Sequence, residues 1–89
     1  MKLVCKVKVK NALGLHTRPA AAIVKLLQSF KSSVSFTYRE ETINARSIMS
    51  ILMLAAKKNA QLTVTIDGAD ADIVMRRLVA AFDQEFGEG

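Results

Sequence analysis

The residues of this chain that could do chemistry gather in one stretch, Gly14-Leu15-His16-Thr17-Arg18-Pro19-Ala20. His16 is the only imidazole among 89 residues, and an amphipathic helical pattern begins just after it. The first N–H groups of a helix lack internal partners, and the helix dipole is positive at that end. Such an end receives anions, phosphate among them. Arg18 adds a permanent charge with forked donors that match phosphate oxygens. Gly14 permits a turn or a close backbone approach, while Pro19 fixes its own φ and offers no N–H. The positive helix end and Arg18 both favour a neutral imidazole, whose ring nitrogen can attack phosphorus. A phosphoryl group gained there would lie against amides and a guanidinium that stabilise its charge. The same residues also suit a plain helix start with a surface histidine near its cap.

The remaining residues must build the frame that holds this stretch. Leu3, Cys5, Val7 and Val9 alternate with Val4, Lys6, Lys8 and Lys10, the period of a strand with one wet face. Pro19, Ile23, Leu26, Leu27 and Phe30 form one helical stripe opened by the proline. Val34, Phe36 and Tyr38 restore period two, and Thr42-Ile43-Asn44 returns as the second arm of a hairpin. Its turn, Arg39-Glu40-Glu41, has no Gly or Asn to define its type. Ser47 is expected to cap a second helix running through Ala56, with Asn59 the candidate left-handed residue behind it. Leu62, Val64 and Ile66 alternate with threonines in a strand ended by Asp67-Gly68. Asp70 then caps a helix with Ala71, Val74, Leu78, Ala81 and Phe82 on one face; Phe86 is a turn further and Gly87 marks the stop. Strands that are polar on one side call for an antiparallel sheet covered on one face only. The expected fold is therefore α+β, an open-faced β-sandwich. It has a four-stranded antiparallel sheet and three helices on one face, in the order β-α-β-β-α-β-α. A single domain over residues 1–89 is expected.

Composition removes several function classes. A lone Cys5 excludes an internal disulfide and a four-cysteine zinc site, and it suits a reducing compartment. No metal or cofactor is expected. No apolar run approaches the ~20 residues of a membrane span, and early lysines interrupt what a signal peptide would need. A cytoplasmic protein without membrane insertion follows as the expectation. The net charge of +5 is uneven, with residues 1–58 at +9 and residues 59–89 at −4. That bias fits a basic face meeting an acidic partner or phosphate, and equally fits ordinary solvated lysines. A nucleic-acid module would interleave exposed aromatics with its cations. Here Phe36 and Tyr38 share the buried side, so no nucleic-acid partner is expected. The second helix is the odd element, since Ile48–Ala56 holds one polar residue. Ile51, Leu54 and Ala55 suffice as its core stripe. Ile48, Met49 and Leu52 are left toward water as a docking surface, unless a neighbouring element covers them.

The stretch Gly14–Ala20 resembles the active-site signature of the HPr family, the histidine-containing phosphocarriers of the bacterial sugar phosphotransferase system. Asn44-Ala45-Arg46-Ser47-Ile48-Met49 is similar to the family's second signature, around a serine before a helix, and length and element order agree. The resemblance implies that enzyme I, charged from phosphoenolpyruvate, passes a phosphoryl group to the δ nitrogen of His16. The resulting pros-phosphohistidine would then be discharged onto a histidine of the A component of a sugar permease. It further implies Arg18 as the active-site arginine, and a docking patch of Ile48, Met49 and Leu52 beside Ala21 and Lys25 that faces acidic partners. Such a chain is a monomeric, stoichiometric carrier without turnover of its own. Ser47 matches a serine that HPr kinase/phosphorylase modifies with ATP in many Gram-positive members, adding nearly two negative charges beside the patch. Three features depart from the common pattern. Thr17 stands where alanine is usual, its hydroxyl free to cap the helix or touch the phosphoryl group. Arg46 replaces a lysine before Ser47, which alters donor geometry, and the loop Ala55–Ala60 lacks the glycines often found there. The alternative reading is a regulatory phosphoprotein that signals metabolic state through His16 or Ser47 without sugar uptake.

Overall fold

Alternation along each strand sorts the sheet into two faces. The computed structural model describes residues 1–88. They run β1 (Lys2–Lys8), α1 (Thr17–Leu27), β2 (Ser33–Tyr38), β3 (Glu41–Asn44), α2 (Ile48–Leu54), β4 (Gln61–Asp67), α3 (Ala71–Asp83) and a 3-10 turn at Glu85–Gly87. The strands pair antiparallel in the order β1-β4-β2-β3. Val7, Val34, Phe36, Leu62, Val64 and Ile66 are buried on the inner face. There they meet Ala20, Ile23 and Leu27 of α1, Ile51 and Leu54 of α2, and Val74, Leu78 and Phe82 of α3. On the outer face the register lines up Lys6, Thr63, Thr37 and Thr42 in one polar row, with Thr37 and Thr42 hydroxyls 2.8 Å apart. This is the expected open-faced α+β arrangement in the expected element order. Among the described residues no helix is long and apolar enough to cross a membrane.

Element ends differ from the sequence reading, for local backbone reasons. Helix α1 starts at Thr17, and Pro19 is its third residue rather than its first. A proline is tolerated anywhere in that turn, because the N–H it lacks has no partner there. Helix α2 stops at Leu54, since Ala55 takes a left-handed φ of 54°. That turns Ala55 outward and removes it from the core stripe, and Ala56 is buried in its place. Asn59 is left-handed as expected, at φ 74°. The hairpin turn has two central residues, Arg39 and Glu40, with φ of 50° and 68°. Two positive φ values mark a type I′ turn, which suits the twist of a hairpin, so Glu41 already pairs with Tyr38. Helix α3 ends at Asp83. Glu85 and Phe86 then adopt φ of 54° and 53° ahead of Gly87, and the Phe86 ring packs edge-on against Phe82 at 4.9 Å between centroids.

Asp70 occupies the cap position of α3 but makes no side-chain cap bond. Its carboxylate instead reaches the link between α1 and β2, accepting from Lys31 N–H at 2.9 Å, from Ser32 N–H at 3.0 Å and from the Ser32 hydroxyl. The Ser32 hydroxyl and Lys31 amide bonds hold its carboxyl below the ordinary 3.8, with partial desolvation opposing them. A carboxyl with a depressed folded value contributes stability above its unfolded pKa and loses it as pH falls through the folded one. Asp70→Asn is therefore expected to lower the denaturation midpoint at pH 7, with the gap to wild type closing progressively below about pH 4. Denaturant titrations at pH 7 and pH 3 check this. A gap of equal size at both would show that the carboxylate charge is not what ties this link.

Candidate functional site

The loop ahead of α1 is set by glycine. Gly14 adopts φ 69°, its N–H bonding back to Asn11 C=O at 3.0 Å, and Leu15 N–H donates to Ala56 C=O at 3.0 Å. A Cβ on Gly14 would run into the Ala56 carbonyl oxygen and stand 2.9 Å from Lys57 Cα. Only glycine lets the loop lie this close to the link between α2 and β4. Leu15 is buried beneath it. The next residue, His16, is thereby delivered to the N-cap of α1 with extended φ/ψ of −77° and −170°.

The intrahelical ladder begins with Ala20 N–H to His16 C=O at 3.1 Å. Thr17 and Arg18 N–H thus have no partner inside the helix, and Pro19 has no N–H. Two amides stand open beside the histidine, a small anion-receptive end. Thr17 and Arg18 are both exposed. Thr17 sits inside the first turn, and no side-chain cap bond forms at this helix end, so of the two roles open to its hydroxyl the capping one is not taken up here. Arg18 makes no hydrogen bond or ion pair among the described residues, and its charge acts on the nearby carboxylate of Glu88.

That carboxylate is the feature sequence reasoning missed. His16 has a side chain 32% exposed, and its Nε2 lies 3.0 Å from Glu88 Oε2 and 3.2 Å from Oε1. The ring is half-covered on that side, not fully open. Its other nitrogen, Nδ1, has no hydrogen-bond partner among the described residues. Asn11 is buried below and holds the carboxylate in place. Its Nδ2 donates to Glu88 Oε1 at 2.5 Å and to Glu85 C=O at 2.8 Å, while its Oδ1 is buried without a partner. Partial desolvation pushes the Glu88 carboxyl up. The bonds from Asn11 and His16, with the charges of His16 and Arg18, outweigh that and hold it below the ordinary 4.5. A cleft of about 280 Å³ lined by Ala12, Leu13, His16, Glu85 and Glu88 opens over the ring. A larger one, about 610 Å³, lies toward the polar sheet face among Lys2, Lys31, Arg46 and neighbours and includes none of the histidine cluster. The histidine and its carboxylate partner lie in the smaller cleft.

The remaining candidates lie on α1, α2 and the turn before α2. Ala21 and Lys25 are exposed on α1. Ile48 and Met49 are exposed at 37% and 68%, Leu52 is half-buried, and Met53 and Leu13 add exposures of 72% and 77%. Helices α1 and α2 pack together, so Ala21, Lys25 and the apolar residues of α2 belong to adjoining elements. Met53 and Leu13 escaped the sequence reading because neither falls on a stripe that periodicity alone assigns to water. Ser47 caps α2, its Oγ accepting from Ser50 N–H at 3.2 Å. Arg46 is turned away from it. The guanidinium donates to the carbonyls of Leu27, Phe30 and Ser32 at 2.8, 2.8 and 2.7 Å, closing the C-terminal end of α1.

Comparison with known proteins agrees with this fold. A family model described as "PTS HPr component phosphorylation site" matches residues 4–84. The phosphocarrier protein HPr of Chlamydia muridarum is 48% identical over 80 residues, covering 90% of this chain and 77% of that protein. Among solved structures, HPr-C-His from Thermoanaerobacter tengcongensis superposes with a TM-score of 0.93 at 30% identity, covering 98% of each chain. A phosphocarrier protein HPr from Bacillus anthracis gives 0.84 at 33% identity, covering 89% of this chain and 94% of that one. With a family pattern spanning nearly the whole sequence and the same architecture around it, the chain belongs to the HPr phosphocarrier family.

Proposed function

We propose that this chain shuttles a phosphoryl group on Nδ1 of His16, taking it from phosphorylated enzyme I and giving it to the A component of sugar permeases. On arrival the Nδ1 lone pair forms the new P–N bond as the bond to the donor's histidine breaks, and the donor nitrogen keeps the electron pair. Onward transfer reverses the roles. The open amides of Thr17 and Arg18 and the Arg18 guanidinium receive the phosphoryl oxygens, and the Thr17 hydroxyl stands beside them. One observation carries the reading: a half-exposed imidazole at a helix N-cap, with Nδ1 unpartnered next to two free N–H groups. Residues 1–89 act as one unit in this role, in the cytoplasm and as a monomer. Incubation with phosphoenolpyruvate and a trace of enzyme I is expected to load one acid-labile, base-stable phosphate per chain. Adding a permease A component is expected to remove it. Failure to load would overturn the carrier role, and loading without discharge would favour the regulatory reading.

Docking on both partners uses Ile48, Met49 and Leu52 beside Ala21 and Lys25, and Ser47 at the edge of that patch is the modification site for an HPr kinase/phosphorylase. The Ser47 hydroxyl already sits at a helix N-terminus, where the fold tolerates negative charge. The cost falls on an acidic partner instead. Ser47→Asp is expected to weaken enzyme I binding on the order of tenfold while leaving the thermal midpoint within a few degrees. Unchanged affinity in a calorimetric titration would move the patch elsewhere.

A further inference from the structure

The family pattern ends at residue 84, yet the residue touching the imidazole is Glu88. Its place is built rather than incidental. Three consecutive residues, Glu85, Phe86 and Gly87, take positive φ and fold the segment after α3 back over the histidine loop. Phe86 anchors that turn on Phe82. Asn11, 1% exposed, spends both N–H bonds on this segment, one on the Glu85 carbonyl and one on the Glu88 carboxylate. A buried amide that leaves its own Oδ1 unpartnered in order to hold a carboxylate against a histidine indicates a selected arrangement.

We propose that Glu88, held by Asn11, is the positioning residue of His16 in the transfer reaction, an inference that rests on the carrier function above. The carboxylate accepts the Nε2–H and so fixes the tautomer in which the lone pair is on Nδ1, the nitrogen left unpartnered. When Nδ1 takes the phosphoryl group, the ring becomes cationic with its proton still on Nε2, and Glu88 faces that charge directly. On discharge the P–N bond breaks, the electron pair returns to Nδ1, and the Nε2 proton has not moved. No other acid or base is required. The charged groups around the ring are Glu88, which touches it, and Glu85, which lines the same cleft, both from the segment after α3, with Arg18 of α1 acting on the Glu88 carboxylate; Asn11 from the loop after β1 is neutral and acts only through Glu88.

Ring nitrogen chemical shifts of His16 in the unphosphorylated, full-length chain read the tautomer without any phosphoryl chemistry. Wild type is expected to hold the neutral ring almost exclusively as the Nε2–H tautomer. Glu88→Ala is expected to raise the Nδ1–H population and to slow loading by enzyme I about threefold to fivefold, with little change in KM. Asn11→Ala is expected to reproduce the tautomer change, and Glu88→Gln, whose amide oxygen can still accept the Nε2–H, is expected to keep the wild-type tautomer with Asn11 intact. An unchanged tautomer in Glu88→Ala would overturn the proposal, and so would faster loading, which would make the carboxylate a cover rather than a guide. Wild type that shows the tautomer but accepts no phosphate would instead overturn the carrier function.

Discussion

His16→Ala is expected to fold as the wild type does and to accept no phosphate at all. The side chain stands at a cap position, partly exposed, with one contact to Glu88 and no cap bond of its own. Its loss is expected to change stability by no more than about 0.5 kcal/mol, as for other exposed sites. Transfer, by contrast, has nowhere else to go. A methyl group offers no lone pair, and the open amides of Thr17 and Arg18 can bind a phosphoryl group but cannot bond to it. A thermal melt together with radiolabel from phosphoenolpyruvate separates the two effects. An unaltered midpoint with zero acid-labile label is the expected pair of results. Residual label would place the nucleophile on another residue.

Gly14→Ala is expected to be a severely damaging single-methyl change. Its φ of 69° costs a residue with a side chain about 1–2 kcal/mol, and the new methyl would collide with the Ala56 carbonyl and Lys57 Cα. Backbone atoms cannot swing aside as a side chain can. Overlap of this kind adds about 1–3 kcal/mol. A total near 3 kcal/mol is a large share of the roughly 5–10 kcal/mol that a chain of this length commands, and it lowers the melting midpoint on the order of 15 °C. The same strain displaces the loop that delivers His16, so enzyme I loading should fall at temperatures where the variant is still folded. Equal stability and equal loading rate would show that the loop relaxes without cost.

Much of this was legible because the signals are local and periodic. Period-two runs at Leu3–Val9, Val34–Tyr38 and Leu62–Ile66 set the sheet faces. The stripe from Pro19 to Leu27 set α1, and Gly14 with His16 and Arg18 marked the candidate site at its start. What escaped depends on backbone states or contacts that no spacing reveals. Arg39, Glu40 and Ala55 take left-handed conformations without being Gly or Asn, and this shifted the hairpin turn and the end of α2. Asp70 has the look of a cap, yet its carboxylate finds better donors in the Lys31–Ser32 link. Arg46 reads as a charge beside Ser47 and in fact closes the end of α1 through three carbonyls. Glu88 is 72 residues from His16 and reaches it only because Glu85 and Phe86 reverse the chain. Asn11 gave the one available hint: an amide directly ahead of the histidine loop, on the inward phase set by Val7 and Val9.

The measurement closest to the centre of this account is a nitrogen–phosphorus coupling experiment on the uniformly ¹⁵N-labelled chain loaded by enzyme I and phosphoenolpyruvate. One phosphorus splitting on Nδ1 of His16, with a proton retained on Nε2, is the result the geometry predicts. Phosphorus on Nε2, the nitrogen that Glu88 occupies, or on any side chain other than His16, would contradict it.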